Sequence, residues 1–202
     1  VDDNPALARA AAEVGQLICL YCLESKKPPS GLLAPSDLSV HRENFLHQSL
    51  TDLDCSLKSL GQRLVVSTES ALDIIPQLII QHNIVQVYCS ENVGDYENQL
   101  WQCLNKRYPL IGFQRIASHT LFDQSELPFV LAELPDSFYK FRKVIEPLKI
   151  KPPLAQITGL PPSPVSPAAW QWDSDRSAHH QLFEGGEQQG LAHLERYFEA
   201  EL

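Results

Sequence analysis

The chain has 202 residues, of which 16 are Lys or Arg and 25 are Asp or Glu, so its formal net charge is −9. With 44% hydrophobic residues, it has the composition of an ordinary globular protein that can bury one core. An acidic chain of this kind does not bind nucleic acid by bulk charge, and no apolar run approaches the roughly 20 residues of a membrane span. Five cysteines without the density of a disulfide framework, and no visible secretory signal, predict a cytoplasmic protein.

Segments with helical periodicity alternate with short strand-like segments. Helices are predicted over residues 6–14, 42–60, 70–81 and 95–106, and strands over 16–23, 63–67, 84–89 and 111–117. The strand at 16–23 is almost continuously apolar, which predicts burial on both faces. Gly61 follows the second helix as a C-cap, and Pro76 either weakens the prediction of the third helix or marks a kink in it.

This alternation predicts an α/β fold: a doubly wound, Rossmann-like or flavodoxin-like parallel sheet with helices on both faces. The Ala-rich helix at 6–14 should itself follow a strand. We therefore expect five strands, with the first lying before Val1 and absent from this sequence. Ligands of such sheets bind outside the carboxyl ends of the strands, at the point where the strand order reverses.

The character of the sequence changes after Pro128. Seven prolines between residues 147 and 172 predict an extended connector, and Gly185-Gly186 then precedes a helix predicted over 187–202. We therefore divide the chain into an α/β domain at 1–130, a connector at 131–184, and the start of a further domain at 185–202.

The common catalytic and phosphate-binding motifs are absent from the sequence. It has no GxGxxG after a strand and no GxxxxGK[ST] loop. Cys19 and Cys22 form a CxxC pair, but positions i and i+3 of a strand point to opposite faces, which favours structural thiols over a redox or metal pair. His179-His180 is interpreted as part of a solvated loop, and the basic cluster at 140–143 as a solvated or interdomain face rather than a phosphate contact.

Several short motifs occur in a characteristic order over essentially the whole chain. They are D-D-N-P-A-L at 2–7, R-E-N-F-L-H-Q-S-L at 42–50, E-N-V-G-D-Y-E at 91–97, L-P-F at 127–129, F-Y-K-F-R-K at 138–143 and G-G-E at 185–187. Taken together, they resemble the N-terminal domain of the photolyase/cryptochrome family, and within it cryptochrome DASH.

The resemblance implies a light-harvesting, chromophore-binding domain of a blue-light flavoprotein. The antenna chromophore of the family is commonly methenyltetrahydrofolate, which passes excitation to FAD without covalent chemistry. FAD and DNA would both be bound by a C-terminal helical domain, and no membrane is involved. The parent would resemble a deoxyribodipyrimidine photolyase that repairs pyrimidine dimers in single-stranded DNA, or a photoreceptor. This segment alone would not be catalytic.

The resemblance also points to site residues. In the family, a carboxylate after the fourth strand hydrogen-bonds the pterin ring. Glu97 matches that position best, Asp95 is the alternative if the register shifts, and Tyr96 is a candidate for stacking on the ring. A carboxylate can accept two parallel N–H bonds from an aminopyrimidinone edge. The purely structural interpretation is that Asp95 caps a helix and Glu97 favours its first turn.

The sequence leaves two other functions open. One is a nucleotide-binding module of the electron-transfer-flavoprotein or stress-protein type, and the other is an interaction domain without a ligand. Trp101 is expected in the core, and Trp170 and Trp172 are expected to anchor the connector rather than to form a redox chain.

Overall fold

Helices and strands alternate through the first part of the chain. The structure is a computed structural model, and it describes residues 1–23, 39–165 and 183–200. In chain order, the elements are α1 (Pro5–Glu13), β1 (Cys19–Cys22), α2 (Val40–Ser59), β2 (Leu64–Ser67), α3 (Ala71–His82), β3 (Gln86–Ser90), α4 (Asp95–Arg107) and β4 (Gly112–Ile116). They are followed by the short 3-10 helices Gln124–Glu126 and Leu131–Glu133, and by α5 (Phe138–Ile145) and α6 (Glu187–Ala200).

The strands form two parallel pairs, β1 with β2 and β3 with β4. Cys19 lies opposite Leu64 in the first pair, and Gln86 lies opposite Gly112 in the second. The prediction of a parallel α/β fold is therefore confirmed. The described residues contain four strands, and the fifth stays a prediction.

Helices cover both faces of the strands. Leu50 and Leu57 of α2 form a buried cluster with Leu64 of β2, and Leu7 of α1 packs against the same cluster. On the second strand pair, α1 lies over Tyr88 and Gln114, whereas Trp101 of α4 packs edge-on against Phe113, with 5.3 Å between the ring centroids. Because adjacent residues of a strand point to opposite faces, α1 and α4 lie on opposite sides. This is the doubly wound arrangement.

Element lengths differ from the sequence-based expectation at a few points. β1 has four residues, all half-buried, although the apolar run at 16–23 predicts a longer strand buried on both faces. α3 runs continuously through the buried Pro76. Gly61 follows α2 with φ of +81°, a left-handed conformation that suits glycine, as its predicted capping role requires.

The connector is fastened to the α/β unit by Gln62. This side chain is only 2% exposed, and its Nε2 donates to the carbonyl oxygens of Leu17 and Pro161. The backbone N–H of Leu160 donates to the Leu60 carbonyl at 3.0 Å, and the Leu160 side chain packs on the core. The proline-rich stretch therefore includes a segment bound firmly to the end of α2.

The segment that begins α6 is seated on α2. The backbone N–H of Gly185 donates to Oε1 of Gln48, and Oδ2 of Asp52 accepts from the N–H of Glu187 at 2.8 Å. Asp52 therefore caps α6 from another helix, satisfying an N–H that has no partner within its own helix. Gly186 has φ of +112°, which favours glycine. The G-G-E motif therefore forms the junction at which α6 is attached to α2.

None of the helices in residues 1–23, 39–165 and 183–200 has the length and apolar character needed to cross a membrane.

Candidate functional site

The carboxyl ends of β3 and β4 open onto a groove of about 890 Å³. Glu91, directly after β3, and Arg115, near the end of β4, stand on its walls. The loop after β4 also lines the groove, with apolar side chains that include Leu127 and Phe129. A doubly wound sheet is expected to hold a ligand at this edge.

The first turn of α4 contains the three residues that the sequence singles out. Asp95 is the first helical residue and is exposed, Tyr96 is half-buried, and Glu97 is exposed. The interpretation of Asp95 as the helix cap is wrong, because Gly94 is the N-cap and no side chain caps the helix there. The Asp95 carboxylate instead accepts a hydrogen bond from Nε2 of Gln99 at 2.7 Å.

The carboxylate of Glu97 lies over Gly94. A methyl group added to Gly94 would collide with Oε2 of Glu97, so the absence of a side chain at Gly94 makes room for that carboxylate. The backbone N–H of Gly94 donates to Oδ1 of Asn92 at 2.9 Å, which fixes the turn between β3 and α4. Among the described residues, nothing donates a hydrogen bond to the Glu97 side chain.

Arg115 links the groove to the first turn of α4. Its Nη1 donates to Oδ1 of Asn98 at 2.6 Å, and Asn98 directly follows Glu97. Asp95, Tyr96 and Glu97 do not themselves line the groove. They lie beside it, because the hydrogen bond between Arg115 and Asn98 connects the groove to their helical turn. Sequence reasoning missed Arg115 and Glu91. The sequence does contain a signal for them, because each is a charged residue near the carboxyl end of one of two neighbouring strands.

An ionic cluster holds the outer wall of the groove. Nζ of Lys151 lies 2.7 Å from Oε1 of Glu126 and 3.5 Å from Oδ2 of Asp123. The hydrogen bond from Lys151, assisted by the backbone N–H of Asp123, lowers the pKa of Glu126. The same bond raises the pKa of Lys151. Both groups therefore stay charged at neutral pH, and the connector is tied to the loop beside the groove.

The cysteine pair lies in β1, as expected. Cys19 packs on the core, where burial raises its pKa to about 11, and strand alternation directs Cys22 to the other face. Cys19 is therefore a thiol at neutral pH, which is unlike the low-pKa thiolate of a redox pair.

The other predicted residues fall partly within the described ranges. Trp101 is half-buried against Phe113. The basic cluster at 140–143 lies on the exposed α5, where Lys140 pairs with Asp136 and Lys143 lies over the Tyr139 ring. His179, His180, Trp170 and Trp172 lie outside the described residues.

Comparison with known proteins identifies relatives over the whole chain. The DNA photolyase family matches residues 1–162. The chain is 34% identical to Cryptochrome DASH of Idiomarina loihiensis, covering 100% of this chain and 45% of that protein. It is also 34% identical to Cryptochrome DASH of Vibrio parahaemolyticus, covering 97% of this chain and 44% of the relative. The chain thus spans less than half the length of these relatives.

Solved structures have the same architecture. The crystal structure of Synechocystis sp. PCC6803 cryptochrome superimposes with a TM-score of 0.83 and 30% identity, over 98% of this chain and 43% of that one. A class III photolyase from Agrobacterium tumefaciens has a TM-score of 0.77 at 20% identity, over 98% of this chain and 42% of that one, and supports the fold alone. The family match, the Cryptochrome DASH relatives and the shared architecture together establish that this chain belongs to the DNA photolyase family and corresponds to its N-terminal α/β domain.

Proposed function

We propose that this α/β unit is a light-harvesting antenna domain that holds a folate-type chromophore, methenyltetrahydrofolate, beside the carboxyl ends of β3 and β4. The chromophore, when bound, would absorb near-UV or blue light and pass the excitation to a flavin. The chain's own residues would bind and orient it. This function requires no proton transfer and no change in covalent bonds within the domain.

The available carboxylate of Glu97 is the observation that carries this proposal. Both of its oxygens lack a hydrogen-bond donor within the described residues, whereas the neighbouring carboxylate of Asp95 is already held by Gln99. The aminopyrimidinone edge of a pterin presents two parallel N–H groups, which one carboxylate can accept in a fixed orientation. The chemistry of this donor set therefore fits a pterin, and it favours Glu97 over Asp95.

The surroundings of Glu97 suit a flat aromatic ligand. Tyr96 is half-buried next to it, and the aromatic ring of Phe129 stands on the wall of the adjacent groove. Aromatic side chains bind flat rings by stacking or edge contacts. We propose that Tyr96 contacts the pterin ring and that the groove holds the remainder of the ligand.

We also propose that the parent protein carries a helical FAD domain that covers the exposed apolar residues of α6. Leu191, Leu194, Tyr197 and Phe198 are each between 51% and 61% exposed, and their spacing forms one stripe of the helix. An apolar stripe of this kind is typical of a contact surface. Light-driven repair of pyrimidine dimers, or photoreception, and any contact with DNA would belong to that domain.

The test of the antenna proposal is a titration of methenyltetrahydrofolate into the purified protein, followed by near-UV absorption and by protein fluorescence. We expect saturable binding that Glu97→Gln weakens about tenfold or more, because the amide places an N–H against an N–H of the ligand. Asp95→Asn is the matched control. It removes the neighbouring carboxylate, and we expect no more than about a twofold change because Gln99 already occupies that group.

The three possible results separate the hypotheses. Loss of binding in Asp95→Asn, with Glu97→Gln unaffected, would mean that Asp95 and not Glu97 contacts the pterin. Saturable binding of ATP with no binding of the folate would favour the nucleotide-binding alternative. Binding of neither ligand would leave an interaction domain and would refute the antenna proposal for this chain.

A further inference from the structure

The first turn of α4 brings the Glu97 carboxylate onto the helix face that carries Asn98. That carboxylate lies over Gly94, and the backbone N–H of Asn98, four residues further on, donates to the Gly94 carbonyl at 3.1 Å. Residues four apart on a helix are neighbours on one face, with about 5–6 Å between them. The Glu97 carboxylate and the Asn98 side chain therefore stand about one helical turn apart on the same side of α4.

Arg115 fixes the direction in which the Asn98 amide points. Its Nη1 donates to Oδ1 of Asn98 at 2.6 Å, and a guanidinium has N–H donors but no acceptor. The amide oxygen must therefore face Arg115, and the Nδ2 group is directed away from it. Within residues 1–23, 39–165 and 183–200, this Nδ2 group donates to no acceptor. The half-buried Asn98 thus offers an N–H donor of fixed orientation beside Glu97.

A carboxylate alone cannot orient a pterin ring. Its two oxygens are equivalent acceptors, so they can take the 2-amino N–H and the N3–H of the ring in either order. The two orders differ by a half-turn of the ring, which exchanges the side on which the C4 carbonyl lies. A donor on one side of the carboxylate removes this equivalence, because only one order then brings the C4 oxygen to that donor.

We propose that Asn98, oriented by Arg115, sets the orientation of the pterin by donating a hydrogen bond to its C4 oxygen. This inference rests on the proposed function and deepens it, because Glu97 holds the ring and Asn98 selects one of its two orientations. Asn98 is therefore a binding residue. Arg115, which acts through Asn98, is a positioning residue.

The selected orientation also directs the rest of the chromophore into the groove. In a pterin the C4 carbonyl lies next to N5, and in methenyltetrahydrofolate N5 belongs to the bridge that carries the p-aminobenzoylglutamate tail. Arg115 lies on the wall of the groove, and its bond to Asn98 places that amide on the groove side of the turn. A ring with its C4 oxygen at Asn98 thus has its tail towards the groove, whereas the reversed ring has its tail directed away.

The test compares methenyltetrahydrofolate with the analogue that carries sulfur in place of the C4 oxygen. Sulfur is a weaker acceptor, and the analogue keeps both N–H donors for Glu97. Each ligand is titrated into the intact protein and followed by near-UV absorption and protein fluorescence. We expect the wild type to bind the oxygen form about tenfold more tightly, because the Asn98 donor loses most of its hydrogen bond in the sulfur form.

Asn98→Asp removes the donor and keeps the contact with Arg115, because one carboxylate oxygen still accepts from the guanidinium. We expect this variant to bind the oxygen form about tenfold more weakly, and its preference between the ligands to fall to about twofold or less. Gln102→Glu is the matched control, since it makes the same amide-to-acid exchange at an exposed residue one turn further along α4. It should keep the preference for the oxygen form, which separates the lost donor from the added charge.

The positioning role of Arg115 has its own pair of variants. Arg115→Leu frees the Asn98 amide to turn, so we expect the preference for the oxygen form to fall at least about twofold. Arg115→Lys still donates to Oδ1 of Asn98 and should restore most of the preference. An unchanged preference in Arg115→Leu would contradict the positioning role.

Two results would overturn the role of Asn98. One is an Asn98→Asp variant that keeps the wild-type preference for the oxygen form. The other is an equal loss of preference in Asn98→Asp and Gln102→Glu, because charge alone would then explain the effect. Failure of the antenna proposal gives a different pattern, in which the wild type binds neither ligand or Glu97→Gln binds the oxygen form as tightly as the wild type. That pattern would remove the basis of the orientation as well.

Discussion

Gly94 is the residue that most directly controls the position of the proposed ligand-binding carboxylate. It precedes α4 with φ of −66°, a conformation open to any residue, so its importance lies in the space above it rather than in its backbone freedom. The Glu97 carboxylate occupies that space. A side chain at residue 94 would have to displace the flexible end of Glu97, whereas the backbone could stay in place.

We predict that Gly94→Ala weakens chromophore binding about tenfold while changing the free energy of unfolding by less than about 1 kcal/mol. The measurement is a folate titration together with urea denaturation. Gly159→Ala is the control, because a methyl group there meets no atom within 4 Å. Unchanged affinity in Gly94→Ala would mean that the position of the Glu97 carboxylate does not matter for the ligand.

The site could be predicted from sequence only in part. Glu97 follows a β-branched strand at the start of a helical pattern, so its place near the sheet edge could be predicted. The orientation of its carboxylate could not, because that depends on how Gly94 and Asn92 form the turn. Arg115 was missed because a single charged residue in a short strand is equally typical of an exposed position.

Asp54 joins two elements, α2 and β2. Its Oδ1 accepts hydrogen bonds from the backbone N–H of Leu64 and from Nε of Arg63, and its Oδ2 lies 2.9 Å from Nζ of Lys58. Burial acts to raise the pKa of Asp54, but the hydrogen bonds from Leu64, Lys58 and Arg63 outweigh it, so the pKa lies below its ordinary value of 3.8. The ionised group therefore stabilises the folded chain.

This contribution has a defined pH dependence. It is fully present above the unfolded pKa of 3.8 and is lost as the pH falls through the lower folded value, because protonation then favours the unfolded chain. We predict that urea stability falls less steeply between pH 5 and pH 3 in Asp54→Asn than in the wild type. Asp2→Asn, which removes one exposed carboxylate elsewhere in the chain, is the control for the loss of one negative charge. Parallel slopes for wild type and Asp54→Asn would contradict this assignment.

The attachment of α6 to α2 depends on a glycine at the contact. A methyl group on Gly185 would collide with the Phe45 carbonyl oxygen and with Oγ of Ser49. We predict that Gly185→Ala speeds proteolytic cleavage within α6 by more than about fivefold, because the helix opens more often. Gly190→Ala lies within the same helix and meets no atom within 4 Å, so it should slow cleavage by raising helix propensity. Equal cleavage rates in the two variants would contradict this account of the contact.

Elements with strong periodicity could be predicted well, and the connections between them could not. The stripe of leucines predicted the helix observed as α2, and the alternation of strands and helices predicted the parallel pairs. Helix α5 lies inside the stretch interpreted as a connector, because its eight residues give too short a pattern to distinguish from a loop. The fastening of Leu160 to the core depends on long-range contacts through Gln62, which no local pattern reveals.

At the scale of the whole molecule, the exposed apolar surfaces are those that the proposed contact with a second domain requires. Phe138 is 76% exposed on α5, and α6 carries its apolar stripe. The chain spans less than half the length of its Cryptochrome DASH relatives. An antenna domain of this design would hold its chromophore at the sheet edge and rely on a separate domain for the flavin.

The fluorescence lifetime of bound methenyltetrahydrofolate, measured in the full-length protein with and without FAD, tests the antenna function most directly. We predict that FAD shortens the lifetime several-fold. In Glu97→Gln, under conditions where the chromophore no longer binds, FAD should not shorten the lifetime of the chromophore. A chromophore that binds to the wild type with the same lifetime in the presence and absence of FAD would contradict the light-harvesting role.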